Sequence, residues 1–170
     1  MTSHPDRQNR TTPVGFARHD HRACAETAMA AAEARCATEN IRFTPVRRKV
    51  LEILLHDHRA LGAYAILDRL REAGFGSQPP VAYRALDFLV AHGFAHKVER
   101  LNAFVACTRP GETHAPAFMI CRSCDTVAEA SAATGKGALG AAARASGFHI
   151  ERTMVEAEGL CPACAEKPAP

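Results

Sequence analysis

Cys121-Arg-Ser-Cys124 and Cys161-Pro-Ala-Cys164, with 36 residues between them, constrain this chain more than any other feature. A C-x-x-C turn presents two thiolates to one tetrahedral ion, and two such turns complete a closed four-cysteine zinc site. A site of this kind has no position left for water, so its role is structural. Here it would clamp the C-terminal end of the chain onto the start of a second domain, offsetting that domain's small core. The seven cysteines are an odd number, and narrow pairs in a reducing compartment favour metal over disulfide.

Around that clamp the chain reads as an α+β protein of two units. Residues 1–22 are rich in Pro, Asn, Arg, Thr and His without periodicity, which predicts a disordered arm. Ala25 to Glu39 is an Ala-rich helix candidate with an indistinct packing face. A clearer start follows: Thr44 caps, Pro45 takes the first helical position, and Val46, Val50, Leu51, Leu54 and Leu55 recur with helical spacing. Two further helices are predicted, over Tyr64 to Ala73 and Pro80 to His92, closed by Gly74 and Gly93. Extended runs then cover Phe94 to Glu99 and Ala103 to Cys107, about a turn at Arg100 to Asn102. Helices followed by a hairpin describe a winged helix-turn-helix domain over residues 23–108. Residues 109–114 read as a hinge, and 115–170 as a small α/β domain that carries the zinc site. In that domain strands are predicted over Phe118 to Cys121, near Thr126 to Ala130 and over His149 to Ala157, with a helix over Gly137 to Ser146.

Charge distribution narrows the partner. The net charge is only +3, but Ile41 to Arg100 holds ten Lys or Arg against six Asp or Glu, whereas Arg109 to Pro170 holds six against seven. The basic excess therefore lies on the winged-helix unit, where a polyanion would bind. Tyr83 and Arg84 are predicted to face outward near the start of the helix over Pro80 to His92, the end that approaches base edges in such domains. Arg47, Tyr64, Asp68 and Arg71 are candidates for DNA-phosphate or dimer-to-dimer contacts, with a local Asp68–Arg71 ion pair as the plainer reading. No run approaches the roughly 20 apolar residues of a membrane span, and the N-terminus lacks an apolar signal region, so the chain reads as cytoplasmic.

A second candidate set of metal ligands is His96, Cys107, His114 and Glu129, each of which taken singly also has an ordinary structural reading. With the hairpin turn centred between Leu101 and Asn102, His96 and Cys107 fall directly opposite each other. Two imidazoles, a thiolate and a carboxylate suit zinc, and the thiolate argues against magnesium, calcium or manganese. Catalytic zinc needs an open position and a nearby base, and this set supplies neither, so a zinc hydrolase is the weaker reading. His19-Asp20-His21 with Cys24 offers no preorganised geometry, and Cys24 and Cys36 read as plain helix residues.

Arg42-Phe-Thr-Pro-Val-Arg47, Tyr64 to Arg71, Pro79-Pro-Val-Ala-Tyr-Arg-Ala-Leu-Asp-Phe-Leu89, Gly93 to Glu99, Thr113-His114 and Glu156 to Cys164 together resemble the ferric uptake regulator family, in its zinc uptake regulator branch. The likeness covers roughly residues 24 to 165. It implies a zinc-responsive repressor that binds palindromic double-stranded operators of zinc-uptake genes as a homodimer, with room for two dimers per operator. It also implies two Zn2+ per subunit, a structural ion on Cys121, Cys124, Cys161 and Cys164 and a regulatory ion on His96, Cys107, His114 and Glu129. An iron- or peroxide-responsive member of the same family is the alternative. Two departures stand out: the family's usual Thr-Val before Tyr83 is Val81-Ala82, and the Gly that commonly follows the first C-x-x-C is Asp125.

Overall fold

The computed structural model describes residues 13–17, 20–56, 58–76, 78–112, 114–132 and 137–166. Four helices open the chain: α1 (His21–Thr38), α2 (Pro45–Leu55), α3 (Ala63–Glu72) and α4 (Pro79–Ala91). A hairpin of β1 (Ala95–Val98) and β2 (Ala103–Ala106) follows, so the unit is a winged helix-turn-helix domain. The second unit comprises β3 (Ala115–Cys121), β4 (Val127–Ala132), α5 (Gly137–Ser146), β5 (Val155–Gly159) and the single turn α6 (Pro162–Ala165).

The helix boundaries follow local chemistry. The Thr44 hydroxyl accepts the Arg47 N–H at 3.4 Å, and Pro45 occupies the first turn, where its missing N–H is harmless. Apolar residues at helical spacing turn Val50, Leu54, Ile66, Leu70, Leu86 and Leu89 into one core. The packing face of α1, indistinct in the sequence, is Met29, Ala32 and Cys36. Small alanines let that helix approach closely, and Arg35 fastens it by donating to the His92 carbonyl at 2.6 Å.

The N-terminal arm needs correcting where it is described. Asp20 is the N-cap of α1, accepting from the N–H groups of Arg22 and Ala23, so His21 and Arg22 are already helical. Pro13 to Ala17 form a 3-10 turn that packs against β4. A Cβ on Gly15 would stand 2.6 Å from the Val127 carbonyl oxygen, so only glycine fits there. Residues 1–12 and 18–19 of the expected arm, His19 among them, lie outside the described residues.

The hairpin pairs His96 with Val105 and Val98 with Ala103. That centres the turn between Arg100 and Leu101, not between Leu101 and Asn102. Asn102 takes a left-handed φ of 44° that closes the loop from Glu99. Cys107 therefore stands diagonal to His96, two residues beyond its partner but on the same face. The other face carries Ala95 and Phe104 into the helical core.

The second sheet has the order β4-β3-β5, antiparallel on one side of β3 and parallel on the other. β5 begins at Val155, later than the predicted His149, because the pairing partner of Val155 is Ala117 and residues 148–154 serve as the return path from α5. The same register sets Gly159 beside Cys121. The two units are docked through the hairpin: Val98 and Val105 share a core with Phe118, Ile120 and Val127. The segment between α2 and α3 adds a seam, with Leu61 and Phe104 exchanging backbone bonds and the Val127 N–H reaching the His58 carbonyl at 2.8 Å. Phe118 is fully buried at this junction. Phe118→Ala is expected to lower stability in urea denaturation by about 3–5 kcal/mol, as removing a core aromatic does.

Candidate metal centres and nucleic-acid face

The first centre forms because β3 ends at Cys121 and the parallel β5 delivers Cys161 alongside it. Cys121, Cys124, Cys161 and Cys164 gather with their sulfurs within 4.8 Å of one another. Cys124 Sγ and Cys161 Sγ are 3.8 Å apart, and the edges of a four-sulfur tetrahedron about zinc measure roughly 3.8 Å. The first turn closes with the Asp125 N–H on the Cys121 carbonyl at 2.9 Å. Asp125 adopts a φ of 59°, the left-handed conformation for which glycine is the usual choice and which Asp tolerates better than most residues. The departure from the family pattern thus leaves the turn intact. The Cys161 N–H points at Cys121 Sγ from 3.3 Å and holds that thiol well below its ordinary range, whereas burial pushes the Cys161 thiol up. Four thiolates with inward N–H groups fit a structural zinc ion.

The second centre joins four segments. His96 comes from β1, Cys107 from the residue after β2, His114 from the connection to β3 and Glu129 from β4; their ligand atoms also lie within 4.8 Å of one another. Glu129 is a buried carboxylate. Its Oε2 accepts the Thr108 N–H at 2.8 Å and the Thr108 hydroxyl at 3.0 Å, while Oε1 faces His114 Nε2 at 2.6 Å and His96 Nε2 at 3.2 Å. Burial alone would raise the Glu129 pKa, but the His96 imidazole, the Thr108 N–H and His114 overcome it and bring it down to about 2. The Cys107 thiol goes the other way, pushed up to about 12 by burial and by the Glu129 charge.

One detail tests the donor set. His114 Nδ1 lies 2.8 Å from the Glu112 carbonyl, which only accepts, so Nδ1 carries the proton and Nε2 presents a lone pair. In the neutral ring that lone pair faces a carboxylate oxygen at 2.6 Å, a contact that either a second ring proton or a bound cation satisfies. His96 Nε2 is buried without a hydrogen bond, 3.2 Å from the same oxygen but poorly aligned with it. Together with Cys107 Sγ, 3.7 Å from His114 Nε2, these donors fit a four-coordinate zinc ion. Sequence reasoning missed Thr108 and the Glu112 carbonyl, which orient the ligands; no spacing rule marks either.

The exposed face of the winged domain carries the remaining candidates. Tyr83 and Arg84 both project from the first half of α4, and among the described residues no carboxylate pairs with Arg84. Tyr64, 76% exposed, shares a groove with Tyr83, Asp87 and Lys97 between α3, α4 and the hairpin. Arg47 is engaged within the domain: its guanidinium lies 3.7 Å over the Phe88 ring and donates to the Arg42 carbonyl. Asp68 and Arg71 form a local, exposed ion pair at 2.8 Å. His21 reaches the His56 carbonyl at 2.7 Å, Asp20 serves as a cap, and neither is gathered with Cys24 into a metal cluster among the described residues.

No family model matches the chain. The zinc uptake regulation protein of Escherichia coli (strain K12) is 42% identical over 139 residues, which is 81% of each protein. A solved structure described as a zinc uptake regulator complexed with zinc and DNA is 41% identical, with a TM-score of 0.77 over 84% of this chain and 95% of that one. Holo XcZur, 39% identical, superimposes with a TM-score of 0.73 over 83% of this chain and 99% of its own. Apo XcZur, at the same 39% identity and covering 84% and 99%, reaches only 0.50. Sequence, fold and donor chemistry agree, and the chain belongs to the zinc uptake regulator branch of the ferric uptake regulator family.

Proposed function

We propose that the protein is a zinc-responsive transcriptional repressor that binds the palindromic operators of zinc-uptake genes as a homodimer. The observation that carries this reading is the cluster of His96, Cys107, His114 and Glu129, whose donors converge only because the winged hairpin is docked on the second sheet. Zinc bound there would supply one tetrahedral centre that accepts a thiolate, two imidazoles and a carboxylate together. The four donors meet while the domains are joined and part when they separate, so an occupied site favours the joined arrangement. Shifting such an equilibrium from 1:99 to 99:1 requires about 5.5 kcal/mol of differential binding, well inside what a four-ligand zinc site provides. The likeness to the zinc- and DNA-bound regulator supports the reading. So does the contrast between holo and apo XcZur, since at equal identity this chain's domain arrangement matches the holo form better.

The joined arrangement fixes the two recognition helices of a dimer at one separation, which is what a palindromic operator selects. Arg84, exposed and without a carboxylate partner, is placed to pair with guanine, and Tyr83 with a thymine methyl or a phosphate. Tyr64 stands beside Tyr83 as a phosphate contact, Arg47 is the weaker such candidate because its guanidinium is engaged with Phe88 and the Arg42 carbonyl, and the Asp68–Arg71 pair is a candidate bridge between neighbouring dimers. The dimer itself is supported by the second domain's surface, where Leu139, Phe148, Val155 and Leu160 are exposed and β5 is an open sheet edge. Each subunit would carry two zinc ions, one per centre. Residues 109–114 act as the hinge between a DNA-binding domain over 23–108 and a dimerisation domain over 115–170. None of the described helices is long and apolar enough to cross a membrane, in keeping with a repressor working on DNA in the cytoplasm.

Three outcomes follow. His96→Ala or Cys107→Ala abolishes zinc-dependent operator binding and leaves a folded dimer; a gel-shift titration with zinc, iron and manganese reads this, and unchanged zinc dependence sinks the assignment. Cys121→Ser unfolds the second domain, because structural zinc sites contribute on the order of 10–16 kcal/mol to the folded state; circular dichroism and zinc content per chain report it. Arg84→Ala weakens operator binding by about 1–3 kcal/mol and relaxes specificity at the contacted base, as measured by binding to operators varied one position at a time.

A further inference from the structure

The hairpin is held at its other end too, by a contact that needs no metal. Glu156 and Glu158 alternate along β5, opposite Phe118 and Ile120 in register, and so share the sheet face that the hairpin covers. The hairpin turn runs from Glu99 to Asn102, between the paired Val98 and Ala103. Two consecutive N–H groups of that turn point at one carboxylate. The Glu99 N–H meets Glu156 Oε1 at 2.6 Å and the Arg100 N–H meets Glu156 Oε2 at 2.9 Å. Adjacent backbone N–H groups in a turn form an anion-binding concavity, and bonds to an ionised acceptor are stronger than neutral ones. Beside them, Arg100 Nε is 2.8 Å from Glu158 Oε2.

A metal site is a single point of attachment near the base of the hairpin, and only the apolar contacts of Val98 and Val105 with the second sheet would otherwise resist a swing of the wing turn. His96 lies three residues before Glu99, so the carboxylate grip is about 10 Å from the metal ligands at the strand rise of 3.3 Å per residue. Two attachments at opposite ends of the hairpin fix its direction as well as its position. The DNA-facing side stays clear: Lys97 and Asn102 line the groove with Tyr64 and Tyr83, on the opposite face from His96 and Val98.

We infer that Glu156, aided by the Arg100–Glu158 pair, is a positioning residue for DNA binding: it latches the wing turn to the second domain and sets the wing's orientation when the metal centre is filled. This rests on the DNA-binding reading above. The latch predicts that the carboxylate contributes to operator affinity through domain geometry and leaves zinc content unchanged.

Glu156→Ala and Glu156→Gln are compared with wild type as full-length, zinc-loaded proteins. Metal analysis reads zinc per chain, and small-angle X-ray scattering without DNA reads the domain arrangement. The DNA probe is a duplex that the zinc-loaded wild type selects from a random pool. Glu156→Ala is expected to keep wild-type zinc content, widen the scattering-derived distance distribution and lower duplex affinity about tenfold, a typical coupling between sites. Glu156→Gln, which keeps one acceptor oxygen, falls between the two. Unchanged scattering and affinity overturn the latch. A gain in affinity also overturns it, in favour of a carboxylate that occupies the place of a DNA phosphate. Should Glu156→Ala fail to fold, the ion pair decides by scattering: Arg100→Glu widens the distribution and adding Glu158→Arg restores it, and no change in the single variant overturns the inference. If the wild type selects no duplex, the proposed function fails, while the scattering comparison still decides the latch.

Discussion

A carboxylate buried as Glu129 is has to be neutralised where it lies, since an unpaired buried charge is destabilising by several kcal/mol. Its partners come from separate stretches of chain: His96 from the hairpin, Thr108 from the residue after Cys107, His114 from the connection to β3. None of these is in β4, the strand that carries Glu129. The joined arrangement of the two domains is therefore the arrangement in which this one charge is satisfied. Separation would expose the carboxylate to water, which solvates it, so the penalty falls on partial opening more than on full opening. That is the energetic shape of a two-state element.

The hairpin makes the coupling mechanical. Its two faces belong to different cores, with Ala95 and Phe104 among the helices and Val98 and Val105 against Phe118 and Ile120. A strand's side chains alternate strictly, so four residues per strand serve both interfaces without a loop or linker between them. Tilting the hairpin to follow one domain strips apolar contacts from the other. Because packed interfaces shift between discrete arrangements instead of deforming continuously, the function proposed above has a change at the ligand cluster move α4 as part of a rigid unit.

Much of this was legible in the sequence, for reasons that are local. The two C-x-x-C turns, the Thr44-Pro45 start of α2 and the helical spacing of α3 and α4 act within a few residues of themselves. The hairpin existed in the pattern, but its register did not: apolar residues such as Ala103, Phe104 and Val105 are buried on both faces, so alternation could not say where the turn is centred. An error of two residues preserved the face and kept His96 and Cys107 together, which is why the structure still gathers them with His114 and Glu129. The start of β5 was illegible because a parallel partner is chosen by β3, distant in sequence, and not by the strand's own composition. Asp20, whose neighbourhood offers no preorganised metal geometry, is a helix cap, a role visible only once α1 is known to begin at His21. Glu156 opens a family-like stretch but gave no sign of a contact with the hairpin until the turn at Glu99 and Arg100 is laid against it.

The two candidate metal centres differ less in chemistry than in where their ligands are rooted, and on the function proposed above that difference gives them different roles. Cys121, Cys124, Cys161 and Cys164 all belong to the second unit, at adjacent ends of the paired strands β3 and β5. No movement of the winged domain changes their mutual distances. A metal held there stabilises one domain in every arrangement and cannot report on any of them, because equal affinity for two states shifts neither. His96, Cys107, His114 and Glu129 are divided between the hairpin, the connection and β4, so their mutual distances are the domain arrangement expressed in ångströms. Only a centre divided in this way binds the two states differently, and a sensor has to be built from such a centre. The closed four-thiolate site in turn gives β4, and with it Glu129, a rigid base, since the strand starts two residues after the first knuckle's closing turn at Asp125.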